Sequence, residues 1–160
     1  MNKKLLKLLE QDARYTMHDL AVMLDTSEDE IRSEIEQLKK TGVIRGFKTV
    51  IDWERLDSAY VSALIELKVT PQADNGFEEI AQQITNYPEV ETVYLMSGGY
   101  DLCVIVKGKT FQQVAMFVGK VLAPLPEVIS TSTHFVLRRY KELDVVLCGE
   151  NEDDRGSFWL

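Results

Sequence analysis

The chain of 160 residues has only two cysteines, four prolines and two histidines, and its 18 Lys and Arg are outnumbered by 26 Asp and Glu. Each shortage excludes something. Cys103 and Cys148 show neither CxxC nor Cys/His spacing, so they read as reduced thiols of a cytoplasmic protein rather than as a zinc site or a disulfide framework. His18 and His134 lie far apart, and there is no P-loop, GxSxG or HExxH, so no catalysis, metal or cofactor is expected. No apolar run exceeds strand length, which excludes a membrane-crossing helix. Lys7 and Glu10 also interrupt the leucines that a signal peptide would need. A net charge of -8 argues against indiscriminate binding to nucleic acid.

What is present is unevenly distributed. Residues 1–50 hold nine basic and nine acidic residues, so all the net negative charge lies beyond them. This first part reads as three short helices. Leu5, Leu6, Leu8 and Leu9 form a stripe over 3–11. Thr16 with Asp19, and Ser27 with Glu30, have capping-box spacing at the starts of the second and third helices. Ile31, Ile35 and Leu38 share one face of the third, which Gly42 ends behind Lys39 and Lys40. Residues 43–51 read as an extended strand, followed by a polar boundary over 52–58.

From Tyr60 the period becomes two: Val61, Ala63, Ile65, Leu67 and Val69 alternate with Ser62, Leu64, Glu66 and Lys68. A helix follows on Phe77, Ile80, Ala81 and Ile84. Strands over 90–96 and 101–107 are joined by Ser97-Gly98-Gly99-Tyr100. Thr110 and Gln113 open another helix, with Phe111, Val114, Val118, Val121 and Leu122 as its stripe, and a last strand covers roughly 128–140. The chain is therefore α+β: an N-terminal helix-turn-helix unit with a linking strand (1–51), a ferredoxin-like βαββαβ unit (59–141) and an acidic tail (142–160) ending in Phe158-Trp159-Leu160. Two one-striped helices should cover one face of a four-stranded antiparallel sheet. Apolar residues on the other face point to a second subunit.

Residues 16–41 suit a helix-turn-helix, in which one helix braces on the DNA backbone and the next enters the major groove. Thr16 and His18 would then meet phosphate, Ser27, Arg32 and Ser33 would face the groove, and Lys39 and Lys40 would meet flanking phosphates. The same stripe would also serve a plain three-helix packing module. Glu28, Asp29, Glu30 and Glu34 favour the start of the helix but repel phosphate, so modest or site-restricted affinity is expected, with avidity as compensation. In Ser97-Gly98-Gly99-Tyr100-Asp101, bare backbone would let a ligand approach. A free N–H suits a carboxylate and Asp101 suits an ammonium group, which is the polarity of an amino acid. From the residues alone, a hairpin turn with a capping aspartate is the simpler reading.

Taken in order, Leu20-Ala21, the run from Gly42 to Phe47, Ser97-Gly98-Gly99-Tyr100-Asp101 and Thr131-Ser132-Thr133 make the chain resemble the leucine-responsive regulator/AsnC (Lrp/AsnC) family of transcription factors, from about residue 3 to residue 141. The resemblance implies a DNA-binding transcriptional regulator that answers to an amino acid or similar effector. It also implies homodimers, often assembled to octamers, with 43–51 paired to its counterpart in a second chain. The effector loop would then be 97–101, shared between neighbouring subunits, with Thr131 and Thr133 supplying hydroxyls. The acidic start of the third helix departs from the family pattern, where Ser, Thr or Pro is more frequent, and Glu34 stands where a basic residue is common. Siroheme decarboxylases look similar to this family, and an enzyme of that kind would need Arg138, Arg139, Tyr100 and His134 around a tetrapyrrole. A sensor or assembly subunit that does not bind DNA is a third reading.

Overall fold

The stripes predicted for the first three helices meet one another. The computed structural model describes residues 3–56, 60–71 and 76–147. It places helices at α1 (Lys3–Gln11), α2 (Met17–Leu24) and α3 (Glu28–Lys40). Leu5, Leu9, Leu20, Ala21, Ile31, Ile35 and Leu38 are buried together as one core. Both capping boxes form. Thr16 Oγ1 accepts from the Asp19 N–H at 3.1 Å while the Asp19 carboxylate accepts from the Thr16 N–H at 2.9 Å. Ser27 and Glu30 repeat the exchange at 3.3 and 3.1 Å. Between α2 and α3, Asp25 is left-handed (φ 52°, ψ 55°) and its N–H returns to α2. Aspartate is one of the few side chains that take this conformation without heavy strain. Gly42, at φ +74°, closes α3.

Residues 43–51 are not a strand here. A strand needs a ladder, and none of these residues pairs with another segment of the described chain. Ile44 packs on the helical core, whereas Val43, Phe47 and Ile51 are left exposed. Among the described residues, 43–51 therefore form no edge strand of their own unit.

Contacts divide the chain into Met1–Thr49 and Val50–Leu160. In the second unit a 3-10 turn (Trp53–Arg55) precedes β1 (Val61–Val69), α4 (Glu78–Thr85), β2 (Val90–Leu95), β3 (Leu102–Gly108), α5 (Phe111–Phe117) and β4 (Val128–Phe135). The sheet order is β2-β3-β1-β4, with every neighbouring pair antiparallel. Ala63, Ile65 and Leu67 of β1 and Leu102, Val104 and Val106 of β3 are wholly buried against Ile80 and Ile84 of α4 and Val114, Phe117 and Leu122. Burying such side chains stabilises by roughly 1.5–3 kcal/mol each.

Three local features differ from the sequence reading. The last strand ends at Phe135, and the chain then makes a small hairpin, β5 (Lys141–Glu142) with β6 (Val145–Val146), where a tail is expected from composition. Beyond α5 the helix widens into a π turn (Val118–Leu122), with Ala123 N–H bonded to Val118 O at 2.8 Å. Within α5, Phe117 is buried while Phe111, the first residue of the helix, lies at the surface, edge-on to Phe135. The end of the chain, including Cys148 and residues 149–160, lies outside the described residues.

Candidate functional site

Helix α3 is the residue-level test of a DNA-reading head. Its buried stripe turns Ser33 and Lys40 outward, since at about 3.6 residues per turn both lie roughly half a turn from Ile31. Asp29, Glu36 and Gln37 are exposed on that same side and were not among the predicted contacts. Their phase relative to Ile31, Ile35 and Leu38 was the available signal. Arg32 and Lys39 are exposed on the flank, where the Lys39 ammonium sits 5.4 Å from the centre of the Phe47 ring.

The remaining predicted contacts already have partners. The Thr16 hydroxyl donates to Asp19 at 2.6 Å and the Ser27 hydroxyl donates to Glu30 at 3.0 Å, so both are engaged in their own caps. His18 Nδ1 stands 3.2 Å from Glu28. The acidic start of α3 is therefore less open to phosphate than composition suggests. Glu30 accepts from the Thr26 hydroxyl as well as from Ser27, and these hydrogen bonds hold its carboxyl below the ordinary glutamate value. Asp19 is lowered in the same way by Thr16. Glu34 is half-buried and engaged. Of the four carboxylates singled out, only Asp29 is both exposed and without a side-chain partner among the described residues.

The loop 97–101 joins β2 to β3. Neither Gly98 nor Gly99 has positive φ, so the pair is not required by a left-handed turn. A Cβ at either position would meet nothing within 4 Å. What the glycines supply is uncovered backbone. Asp101 clasps the neighbouring strand: its Oδ2 accepts from the Val69 N–H at 2.9 Å, and its own N–H donates to Leu67 O at 2.9 Å. The capping role thus takes one carboxylate oxygen.

Register decides which residues share this end of the sheet. Thr131 and Thr133 pair with Leu67 and Ile65, which places them on the helix-covered face of the edge strand. Tyr100 instead hydrogen-bonds the Cys103 thiol near Glu66, on the opposite face. Burial raises both the Tyr100 phenol and the Cys103 thiol. Loop and threonines are therefore at one end but not on one face. The residues of β4 that share the face of Tyr100 are Ser132 and His134, with His134 Nε2 3.3 Å from Glu66 Oε1 and 3.2 Å from Ser132 Oγ. Leu64, Ile105 and Tyr94 lie on that uncovered face as well. Of the four tetrapyrrole candidates only Tyr100 and His134 come together, both beside Glu66, and the arginines lie elsewhere. Arg139 stacks at 5.1 Å on Tyr60, just before β1 begins, whereas Tyr100 lies about 20 Å along the strand, near Glu66. Arg138 stacks on Tyr140.

Comparison with known proteins places these observations. Residues 62–146 match the Lrp/AsnC ligand binding domain. The chain is similar to the HTH-type transcriptional regulator YugG of Bacillus subtilis, 39% identical over 153 residues, covering 95% of this chain and 92% of that protein. The HTH-type transcriptional regulator FL11 of Pyrococcus horikoshii is 30% identical over 142 residues, 89% of this chain and 91% of its own. Among solved structures, the regulator NMB0573 of Neisseria meningitidis, determined as a complex with L-Met, has the same fold. Its TM-score is 0.69 at 22% identity, over 87% of this chain and 89% of its own.

Proposed function

Because the chain belongs to the Lrp/AsnC family of HTH-type transcriptional regulators, we propose that α3 reads double-stranded DNA and that the sheet unit adjusts this binding to an amino-acid-like effector. The observation that carries the reading is the outward side of α3. A doubly capped helix, one tight turn beyond α2, presents Ser33, Gln37 and Lys40 beside Arg32, together with the exposed carboxylates Asp29 and Glu36, while Glu28, Glu30 and Glu34 are engaged. Ser and Gln side chains suit base edges, and Arg, Lys39 and Lys40 suit guanine or phosphate. Thr16, His18 and Ser27 act on this reading by holding the helix starts, whose backbone N–H groups approach phosphate.

The effector site centres on 97–101, where open glycine backbone can take a carboxylate and the second oxygen of Asp101 an ammonium group; within one copy Thr131 and Thr133 lie on the other face of the edge strand and do not complete it. Homodimers, built further to octamers, carry several heads, and segment 43–51 pairs across two copies. The protein acts in the cytoplasm and performs no catalysis. Among the described residues no helix is long and apolar enough to cross a membrane.

The test is selection of bound DNA from a random pool, with and without added amino acids. The enriched site should bind with an affinity that falls as salt rises, and at least one amino acid should shift that affinity or the assembly state. Retention of no sequence under any condition would sink the DNA-binding role.

A further inference from the structure

Away from the glycine loop, at the other end of β3, the second unit holds a groove of about 430 Å³ whose walls include Trp53, Tyr60 and Pro88. This volume lies within the range of small-molecule sites. The Trp53 and Tyr60 rings meet at 57° with centroids 5.9 Å apart, giving the groove an aromatic wall. Its ionic lining consists of two carboxylates, Glu89 and Glu91, and two ammonium groups, Lys107 and Lys109. One pair cancels internally: Lys107 Nζ is 3.0 Å from Glu91 Oε1 and also lies over Tyr60. Among the described residues, neither the Glu89 carboxylate nor the Lys109 ammonium has a side-chain partner. Gln113 Oε1 is held by the Lys109 N–H at 2.8 Å, which leaves its amide N–H groups to donate.

An aromatic wall, one uncommitted negative group and one uncommitted positive group describe the complement of a zwitterion with a flat apolar side chain. We infer that this groove is a second small-molecule site, taking an aromatic α-amino acid with its ring on Trp53, its ammonium at Glu89 and its carboxylate at Lys109. The site stands apart from the loop 97–101, and its existence does not depend on what that loop binds. Its position carries a consequence. Trp53 follows Thr49, the last residue of the first unit, by four positions. A ligand seated on Trp53 therefore fixes to the sheet the very segment through which the two units are joined.

The probe is L-phenylalanine, titrated into the full chain carrying Trp159→Phe, so that Trp53 is the sole tryptophan reporter, with calorimetry alongside. The expected result is a saturable change in Trp53 emission. Phenethylamine, which lacks the carboxylate, and hydrocinnamate, which lacks the ammonium, should each bind about tenfold or more weaker, the scale of one lost charge-assisted hydrogen bond. Lys109→Ala and Glu89→Ala should weaken L-phenylalanine similarly, with far-UV circular dichroism unchanged. Asp101→Asn should leave this affinity as it is. A folded protein giving no saturable signal or heat up to about 10 mM, a concentration that would still detect millimolar binding, overturns the site. So does equal binding of the half-ligands, or loss of binding in Asp101→Asn, which would assign the signal to the glycine loop.

Discussion

Glu30 shows how one side chain settles two questions. Its carboxylate closes the N-terminus of α3 and accepts hydroxyl hydrogens from Thr26 and Ser27, so it contributes to folding what composition assigns to repulsion of DNA. The folded-state pKa lies below the ordinary value, chiefly because of the Thr26 hydrogen bond. A group depressed in this way stabilises the fold fully above its unfolded value and loses that contribution as pH falls through the lowered one. Urea denaturation of the helical unit should therefore show stability declining from about pH 4.5 downward, and Glu30→Gln should flatten that decline. An identical pH profile in the variant would refute the assignment. His18 and Glu28 add a second contact between α2 and α3 that bulk charge does not reveal.

At the scale of elements, the left-handed Asp25 sets the angle at which α2 hands over to α3. Asp25→Gly should alter stability by only a few tenths of a kcal/mol, whereas Asp25→Val should cost about 1–2 kcal/mol, because a branched Cβ is crowded there; thermal melts of the two variants check this. Gly98 makes the opposite case. Its φ is not positive and open space surrounds its Cβ position, so Gly98→Ala should leave the melting temperature within a few degrees. The same change should reduce effector response if the bare backbone touches ligand, as measured by DNA binding with and without amino acid. Helix stripes, both capping boxes and the βαββαβ order were legible in the sequence because each follows from local periodicity. The faces of β4 were not. Alternation shows that Thr131 and Thr133 share a side, but the register against β1, shifted between Lys68 and Val69, decides which side that is. Thr16 and Ser27 were legible as caps, yet the same hydroxyls cannot also be free for DNA. For 43–51, residues of strand type are present but a ladder partner is not, so the pattern alone could not place them.

At the scale of the whole molecule, the described residues leave apolar side chains uncovered in two places. Val43, Phe47 and Ile51 are exposed on the linking segment, and Leu137, Tyr140, Leu143 and Val146 on and around the terminal hairpin. Apolar surface of this kind favours association. If 43–51 pairs two copies as proposed, Phe47→Asp should shift the protein toward monomer in sedimentation velocity and weaken DNA binding by more than the loss of one contact, since paired heads would bind with avidity. Unchanged sedimentation would remove 43–51 from the interface.

The two hydrophobic cores share no residue: one is built from α1 to α3, the other from the sheet and its helices. A substitution in either core therefore has no shared side chain through which to disturb the other. Operator preference and effector preference can consequently drift as separate heritable traits, so descendants of such a chain can keep an old metabolite while acquiring a new set of genes, or keep the genes and change the metabolite.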